Sequence, residues 1–465
     1  MSLLKDLSFS GADVLPLVEG GKGISISNGE SAGAWARAGG VGTFSAVNAD
    51  SYDADGNLVQ QIYQGKTRGK RHQELIDFAI KGGVHQAQVA HETAGGAGRI
   101  HMNVLWEMAA VEEILEGVLG RVKGLVHGIT CGAGMPYRVA QIAASFKVYY
   151  YPIVSSGRAF RILWLRSYRK LAEWLGGVVY EDPWLAGGHN GLSNEEDPEK
   201  PQAPFGRVKA LRDFMRTIGL GNLPIIMAGG VWCLNEWKNW INNPELGPIA
   251  FQFGTRPLLT QESPIPMPWK KRLLTLKKGD VFLNRFSPTG FYSSAVRNSF
   301  IDELDARSKR QVAYTLDAVS DHDTPFKTGP RGRLVYLTHH DKKMADGWVA
   351  QGYTEALRTP DSTLIFVRKE KAAEIRRDQV ACMGCLSACK FSNWSQKPEG
   401  TTGQRADPRS YCIQKTLQDI SHGGSTEYNL MFAGHNAYRF ASDPFYEKGF
   451  IPTVKQLIQR IQTGF

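Results

Sequence analysis

What the chain lacks narrows it first. No apolar run approaches the ~20 consecutive residues of a membrane-crossing helix, and the most apolar stretches, such as VYYYPIV at 148–154, are no longer than a strand. The opening MSLLKDLSFSGADV has no basic segment leading into an apolar one, so no secretory signal is read there and a cytoplasmic location is expected. There is no repeat of 20–50 residues and no low-complexity tract, which argues against a solenoid or propeller. Cysteine is scarce, six in 465 residues, and Cys382, Cys385, Cys389 and Cys412 crowd toward the end. In a cytosolic protein such crowding favours a metal site over a disulfide framework. No aromatic-interleaved basic repeat and no nucleic-acid module is found. The formal charge is nonetheless +10, with basic clusters at 66–72, 269–278 and 374–379. They read either as solvated surface or as a face for an anionic partner, a nucleotide-bearing substrate or nucleic acid.

What is present is enough for a large core: 42% hydrophobic residues and eleven Trp. The length fits one α/β domain of ~250 residues with appended structure, or two to three domains. Strand-like runs recur at 14–19, 41–47, 99–105, 124–130, 148–154, 178–181, 223–229 and 249–255. Helical patterns lie between them at 72–83, 103–122, 137–145, 168–177 and 205–219. Eight strands alternating with helices predict a (β/α)₈ TIM barrel over residues 1–260. The alternation stops near 260, so 261–465 is expected to be a mostly helical or irregular extension packed on the barrel, carrying the cysteines of 382–412.

In such a barrel the loops after the strands carry function. Four of them are unusual: ITCGAGMP, AGGHNG, AGGVW and FGTRP. The last two follow strands seven and eight, where barrels bind phosphate on backbone N–H groups, and they make Gly229, Gly230, Gly254 and Thr255 the phosphate candidates. AGGHNG places His189 after strand six, between Gly187–Gly188 and Asn190. A histidine there suits proton transfer at neutral pH; the alternative is a satisfied surface histidine. Glu181 ends the same strand, either facing the ligand or orienting His189, or simply as a loop carboxylate. Cys131 offers a redox or acid group, or a buried structural thiol. Arg256 either supports the phosphate or forms an ion pair; one of His85, His91 and His101 could line the pocket, and His339–His340 read as a surface pair.

The ordered set CGAGMP, PIVSSGRA, AGGHNG, IIMAGG and FGTR, with TGFYSSAVRNSF at 289–300, resembles the nitronate monooxygenase (2-nitropropane dioxygenase) family of FMN barrels and its related enoyl reductases over residues 14–303. The resemblance implies FMN as cofactor and His189 as the catalytic base. It also implies that Gly229, Gly230, Gly254 and Thr255 hold the FMN phosphate, with Gly187 and Gly188 opening space for the isoalloxazine. The first strand departs from the family: VLPLVEGGKGIS stands where simple members have a run such as PIIQAPMAGG, which leaves a flavin role for Glu19 open.

The cysteines stand as Cys382-x2-Cys385-x3-Cys389, with Cys412 further on. Three thiolates in a short run and a distant fourth suit a [4Fe–4S] cluster; zinc, which usually takes two separated knuckles, is the rival, and accidental clustering the third reading. The spacing is similar to the iron–sulfur site of the 2,4-dienoyl-CoA reductase family, and that implies single-electron relay to the flavin. The function expected is therefore an FMN-dependent oxidoreductase, nitronate monooxygenase-like, acting on an acidic C–H compound or an activated alkene. A small-molecule substrate, an electron-donor protein or NAD(P)H-linked reductase, and further copies of the chain in a homo-oligomer are its expected partners. The alternatives are a flavin-dependent reductase of nucleic-acid bases and an electron-carrying subunit of a larger complex.

Overall fold

The structure, a computed structural model, describes residues 4–329 and 332–464. Eight parallel strands close into a barrel: β1 (Leu17–Glu19), β2 (Val41–Ser45), β3 (Arg99–Leu105), β4 (Gly128–Gly132), β5 (Tyr149–Val154), β6 (Val178–Glu181), β7 (Ile225–Ala228) and β8 (Ile249–Phe253), with β8 pairing back onto β1. Every residue of β2, β4, β7 and β8 is buried. Strands covered on both faces need continuous apolar runs rather than alternation, and IIMA and IAFQF have that character.

The barrel is stoppered at its N-terminal end. A hairpin, Leu7–Phe9 with Ala12–Val14, sends Phe9 and Val14 into the barrel interior against Val18, Val41, Tyr151, Val179, Ile226 and Ala250. Phe9 stacks on Tyr151 with ring centroids 6.0 Å apart, and burying such a ring is worth about 1.5–3 kcal/mol. The plug leaves the C-terminal ends of the strands as the open face.

Side-chain caps start several of the surrounding helices. Asn28, Thr67 and Ser156 each accept a hydrogen bond from the third residue of Gly29–Arg37, Arg68–Ala94 and Gly157–Arg166, satisfying N–H groups that the helix itself cannot. Trp35 of the first helix is fully buried and donates from Nε1 to the Leu17 carbonyl at 2.9 Å, tying helix to β1. Two helical expectations shift. The pattern at 103–122 becomes a helix only over Val111–Arg121, because residues up to 105 belong to β3. The pattern at 168–177 is a 3₁₀ turn, Tyr168–Trp174, preceded by the true helix Gly157–Arg166.

The extension adds strands Val281–Asn284 and Ser293–Val296, which join the two-residue strand Gly188–His189 in a small sheet. It also holds an insert with its own core of Val312, Val335, Leu337, Ala345, Leu364 and Phe366, built from residues 311–367. Helix Lys369–Val380 leads from the insert to the first cysteine, and helix Ile413–Ser421 follows the last. One continuous core contains barrel residues such as Phe251 and extension residues such as Leu417, Met431 and Ile458. Among the described residues no helix is long and apolar enough to cross a membrane.

Candidate active site

The open face holds a cavity of about 1630 Å³, mouth included. Glu181, Gly187, Gly188, His189, Gly229, Gly230, Gly254 and Thr255 all line it. They come from the ends of β6, β7 and β8, so barrel closure alone makes them neighbours.

His189 is held from outside the barrel. The extension strand pairs Ser293 with His189 and Ser294 with Gly188. His189 Nε2 lies 2.6 Å from Ser287 Oγ, which continues to Thr289 Oγ1 at 2.9 Å. The Phe432 ring stands edge-on to the imidazole at 5.3 Å. Burial lowers the His189 pKa to about 4, and with no carboxylate partner the ring is neutral at physiological pH. Glu181 is pushed the other way, up to about 8, by burial and then by the charge of Asp182. Its carboxyl therefore carries a proton at neutral pH. Asp182 is engaged elsewhere, accepting from the Trp184 and Leu185 amides at 2.9 and 3.0 Å.

The glycines divide by purpose. Gly229 and Gly230 take positive φ, +85° and +76°, which disfavours any side chain. Nothing lies within 4 Å of where a Gly254 Cβ would stand, so this strand end opens onto free space. Gly187 is different. A Cβ there would meet the Ala433 carbonyl carbon at 2.5 Å and the Gly434 nitrogen at 2.6 Å. The room expected for a flavin ring beside Gly187 is thus occupied by the chain's own extension.

That extension forms part of the cavity wall. Met431, Phe432, Ala433, Gly434 and Asn436 line it. The Gly434 amide donates to Thr255 Oγ1 at 2.8 Å, and Asn436 Nδ2 donates to the Gly230 carbonyl at 2.7 Å. Their sequence signal is the triplet Gly434-His435-Asn436, a second copy of Gly188-His189-Asn190. Lys22 is a further lining residue, its Nζ 3.0 Å from Glu19 Oε1. Glu19 itself is fully buried and also accepts from Ser31 Oγ at 2.8 Å. The departure at the first strand therefore presents a lysine to the cavity, with Glu19 holding it.

Other candidates lie away from the cavity. Arg256 is buried, donating to the Trp232 carbonyl and the Tyr446 hydroxyl at 2.7 and 3.1 Å and lying 3.7 Å from Asp443. It fastens the extension to the barrel. Cys131 is fully buried in β4 and absent from the cavity lining, and burial raises its thiol pKa far above the ordinary range, so it is no acid or redox group for a bound ligand. His101 bonds Ser10 Oγ at 2.9 Å on the plug side, and His85 packs on Tyr52; neither lines the cavity, nor does His91.

Of the four clustered cysteines, Cys385 lines the cavity. All four are free thiols. The charges of Cys412, Cys389 and Cys382 add to burial in raising the Cys385 pKa, and Cys389 and Cys382 act likewise on Cys412. Ser392 Oγ donates to Cys382 Sγ at 3.1 Å, and the Gly384 amide to the same sulfur at 3.4 Å. Among the described residues no three His, Cys, Asp or Glu side chains come together as a site for a single metal ion.

The cavity suits FMN on two observations. The Gly254 cradle is open at the phosphate end of the barrel. The polar groups of Glu181 and Gln252 line the cavity without a hydrogen-bond partner among the described residues, as a ligand with a polar edge requires.

The enoyl reductase domain of MlnA, from the macrolactin biosynthesis cluster of Bacillus amyloliquefaciens, is similar with a TM-score of 0.51 at 10% identity, over 96% of this chain and 93% of that one. FabK from Thermotoga maritima gives 0.49 at 14% identity, over 96% and 91%. A nitroalkane oxidase from Streptomyces ansochromogenes gives 0.43 at 18%, over 62% and 78%. At such identities the likeness concerns the fold. No curated protein matches the sequence. The family model for nitronate monooxygenase matches residues 10–463, through the barrel and on into the extension that walls its cavity; the chain belongs to the nitronate monooxygenase family and is an FMN-dependent oxidoreductase.

Proposed function

We propose that the protein acts on a compound with an acidic C–H bond, such as a nitronate, or on an activated alkene, with His189 as the proton-handling residue and a [4Fe–4S] cluster on Cys382, Cys385, Cys389 and Cys412. The observation that carries this reading is that His189, the phosphate-type glycine loops and Cys385 all line one cavity. When bound, FMN supplies hydride or electron exchange and the cluster supplies single electrons. Gly229, Gly230, Gly254 and Thr255 would hold the FMN phosphate, and the open space at Gly254 supports that role. His189, neutral through burial, accepts a proton from a substrate C–H, while Ser287 keeps its ring in one orientation. Glu181, protonated below about pH 8, has a hydrogen to donate to an acceptor on the ligand's polar edge. Phe432 and Met431 keep water from the imidazole side.

The cysteines suit a cluster better than a single ion. A cubane spreads its thiolates more widely than zinc does, and the thiols of Cys385, Cys389 and Cys412, whose pKa values are raised by burial and by neighbouring cysteines, are relieved by a cationic inorganic core. Hydrogen bonds to Cys382 from Ser392 and Gly384 are of the kind that tune such clusters. Single electrons would come from a carrier protein or an NAD(P)H-linked reductase.

The test is an absorption spectrum of protein purified without oxygen, before and after dithionite, with iron and acid-labile sulfide measured on the same sample. Flavin bands over a bleachable shoulder and about four irons per chain are expected. Flavin bands with zinc or no metal would remove the relay and leave a plain nitronate-oxidising enzyme.

A further inference from the structure

A second cleft lies away from the flavin cavity, between the insert and the cysteine-bearing segments. Four arginines line it, each from a different part of the chain. Arg333 comes from strand Arg333–Leu337, Arg358 from strand Glu355–Arg358, Arg376 from helix Lys369–Val380 and Arg405 from the loop before Cys412. Among the described residues no Asp or Glu lines the cleft. Only Arg376 is ion-paired, to Glu355 at 2.9 Å. Among the described residues the guanidinium groups of the other three have no ion pair or hydrogen bond, although Arg358 lies over the Tyr314 ring at 5.2 Å. The nearby carboxylates are taken: Asp361 and Asp407 both bind Arg409 at 2.8 Å.

Four guanidiniums lining one cleft with a single paired carboxylate among them leave a net positive charge, and a concave site concentrates the resulting field. An anion offsets that charge. The guanidinium fork matches phosphate oxygens two at a time, and four forks exceed what a single phosphate needs. The cleft also has an apolar floor of Leu357, Ile375 and Pro408, which a flat base can cover and which inorganic phosphate leaves bare. The cleft is open to solvent along its mouth.

We propose that this cleft binds the diphosphate of a nucleotide or of a nucleotide-containing coenzyme. The site is independent of the flavin cavity. Its walls include the helix that runs into Cys382 and the loop that leads to Cys412, so an occupant bridges the two segments that carry the cysteines.

The experiment is calorimetric titration of the flavin-loaded full chain with ADP, inorganic pyrophosphate and adenosine as separate arms. ADP should bind saturably and adenosine should not. Pyrophosphate weaker than ADP identifies a nucleotide as the source; pyrophosphate equal to ADP identifies the free diphosphate and keeps the arginine site. Replacing Arg358 and Arg405 by Gln should weaken binding about tenfold per arginine, the worth of one charge-assisted contact, with flavin content and thermal midpoint unchanged. Arg405→Gln alone, at an exposed position, carries the test should the double variant fail to fold. No saturable binding of ADP or pyrophosphate, or equal affinity in the wild type and the variants, overturns the proposal.

Discussion

The triplet Gly-His-Asn occurs twice, after β6 at 188–190 and in the extension at 434–436, and the two copies pack together. Both histidines bond a serine of the 287–294 region: His189 to Ser287 at 2.6 Å and His435 to Ser294 at 3.0 Å. Burial lowers the pKa of both. Yet His189 lines the cavity and His435 does not, although its neighbours Gly434 and Asn436 do. The histidine of one copy lines the cavity, and the other copy helps join the extension to the barrel mouth. What separates them is packing rather than residue type: Gly188–His189 pairs along strand Ser293–Val296 by its backbone, whereas His435 meets that strand through the Ser294 hydroxyl.

The largest expected effect tests that division directly. His189→Ala should lower kcat/KM by ~10²–10⁴, the ordinary worth of a general acid–base residue, with flavin retained. His435→Ala should leave turnover within a few-fold. Steady-state rates with a nitronate, beside flavin spectra, decide it; equal losses in the two variants would abolish the distinction. The pH profile sharpens it. His189 accepts a proton only when neutral, so the rate should fall as pH drops through about 4. Glu181 donates only when protonated, so the rate should also fall as pH rises through about 8. Glu181→Gln should remove the alkaline limb and leave the acid one.

A smaller effect separates glycines that serve the chain from glycines that serve a ligand. Gly187→Ala drives a methyl into the Ala433–Gly434 backbone and should destabilise the fold by about 1–3 kcal/mol, read as a lower thermal midpoint. Gly254→Ala meets no protein atom; it should keep the midpoint of the flavin-free protein and weaken FMN binding. The smallest concerns a clamp between barrel and extension, where His422 Nε2 lies 2.9 Å from the buried Asp50 carboxylate. That partner raises the His422 pKa, so the pair's stabilisation is fully present below pH ~6.5, the unfolded value, and fades as pH rises through the folded one. Asp50→Asn should therefore lower stability by about 1 kcal/mol at pH 6 and by less at pH 9, in parallel denaturant titrations.

Much of the barrel was legible because its strands are buried on both faces and so read as apolar runs, each ended by a glycine loop. Once eight such runs are counted, closure brings the loops after β6, β7 and β8 together whatever the side chains are. The helix Gly157–Arg166 was harder to read, since four of its ten residues, Arg158, Arg161, Arg166 and Gly157, break the apolar pattern. Lys22 carries no signal beyond its spacing from Glu19, and its place at the cavity depends on the buried carboxylate that holds it. Arg256, which follows Gly254–Thr255, read equally as phosphate support or as a surface ion pair; it is buried, and its partners Asp443 and Tyr446 belong to the extension, Tyr446 lying 190 positions away.

By itself, then, the sequence determined the barrel, the face on which a ligand binds and the loops that line it, because these follow from local apolar patterning and from strand closure. Tertiary structure alone decided that a side chain at Gly187 would meet the extension while one at Gly254 would meet nothing, which of the two Gly-His-Asn histidines lines the cavity, and that four arginines spread over residues 333–405 share one cleft. Those outcomes rest on contacts such as Gly434 to Thr255, 179 positions apart. Periodicity and motif spacing are local quantities, and the contacts between distant segments are set only when the extension folds back over the barrel mouth.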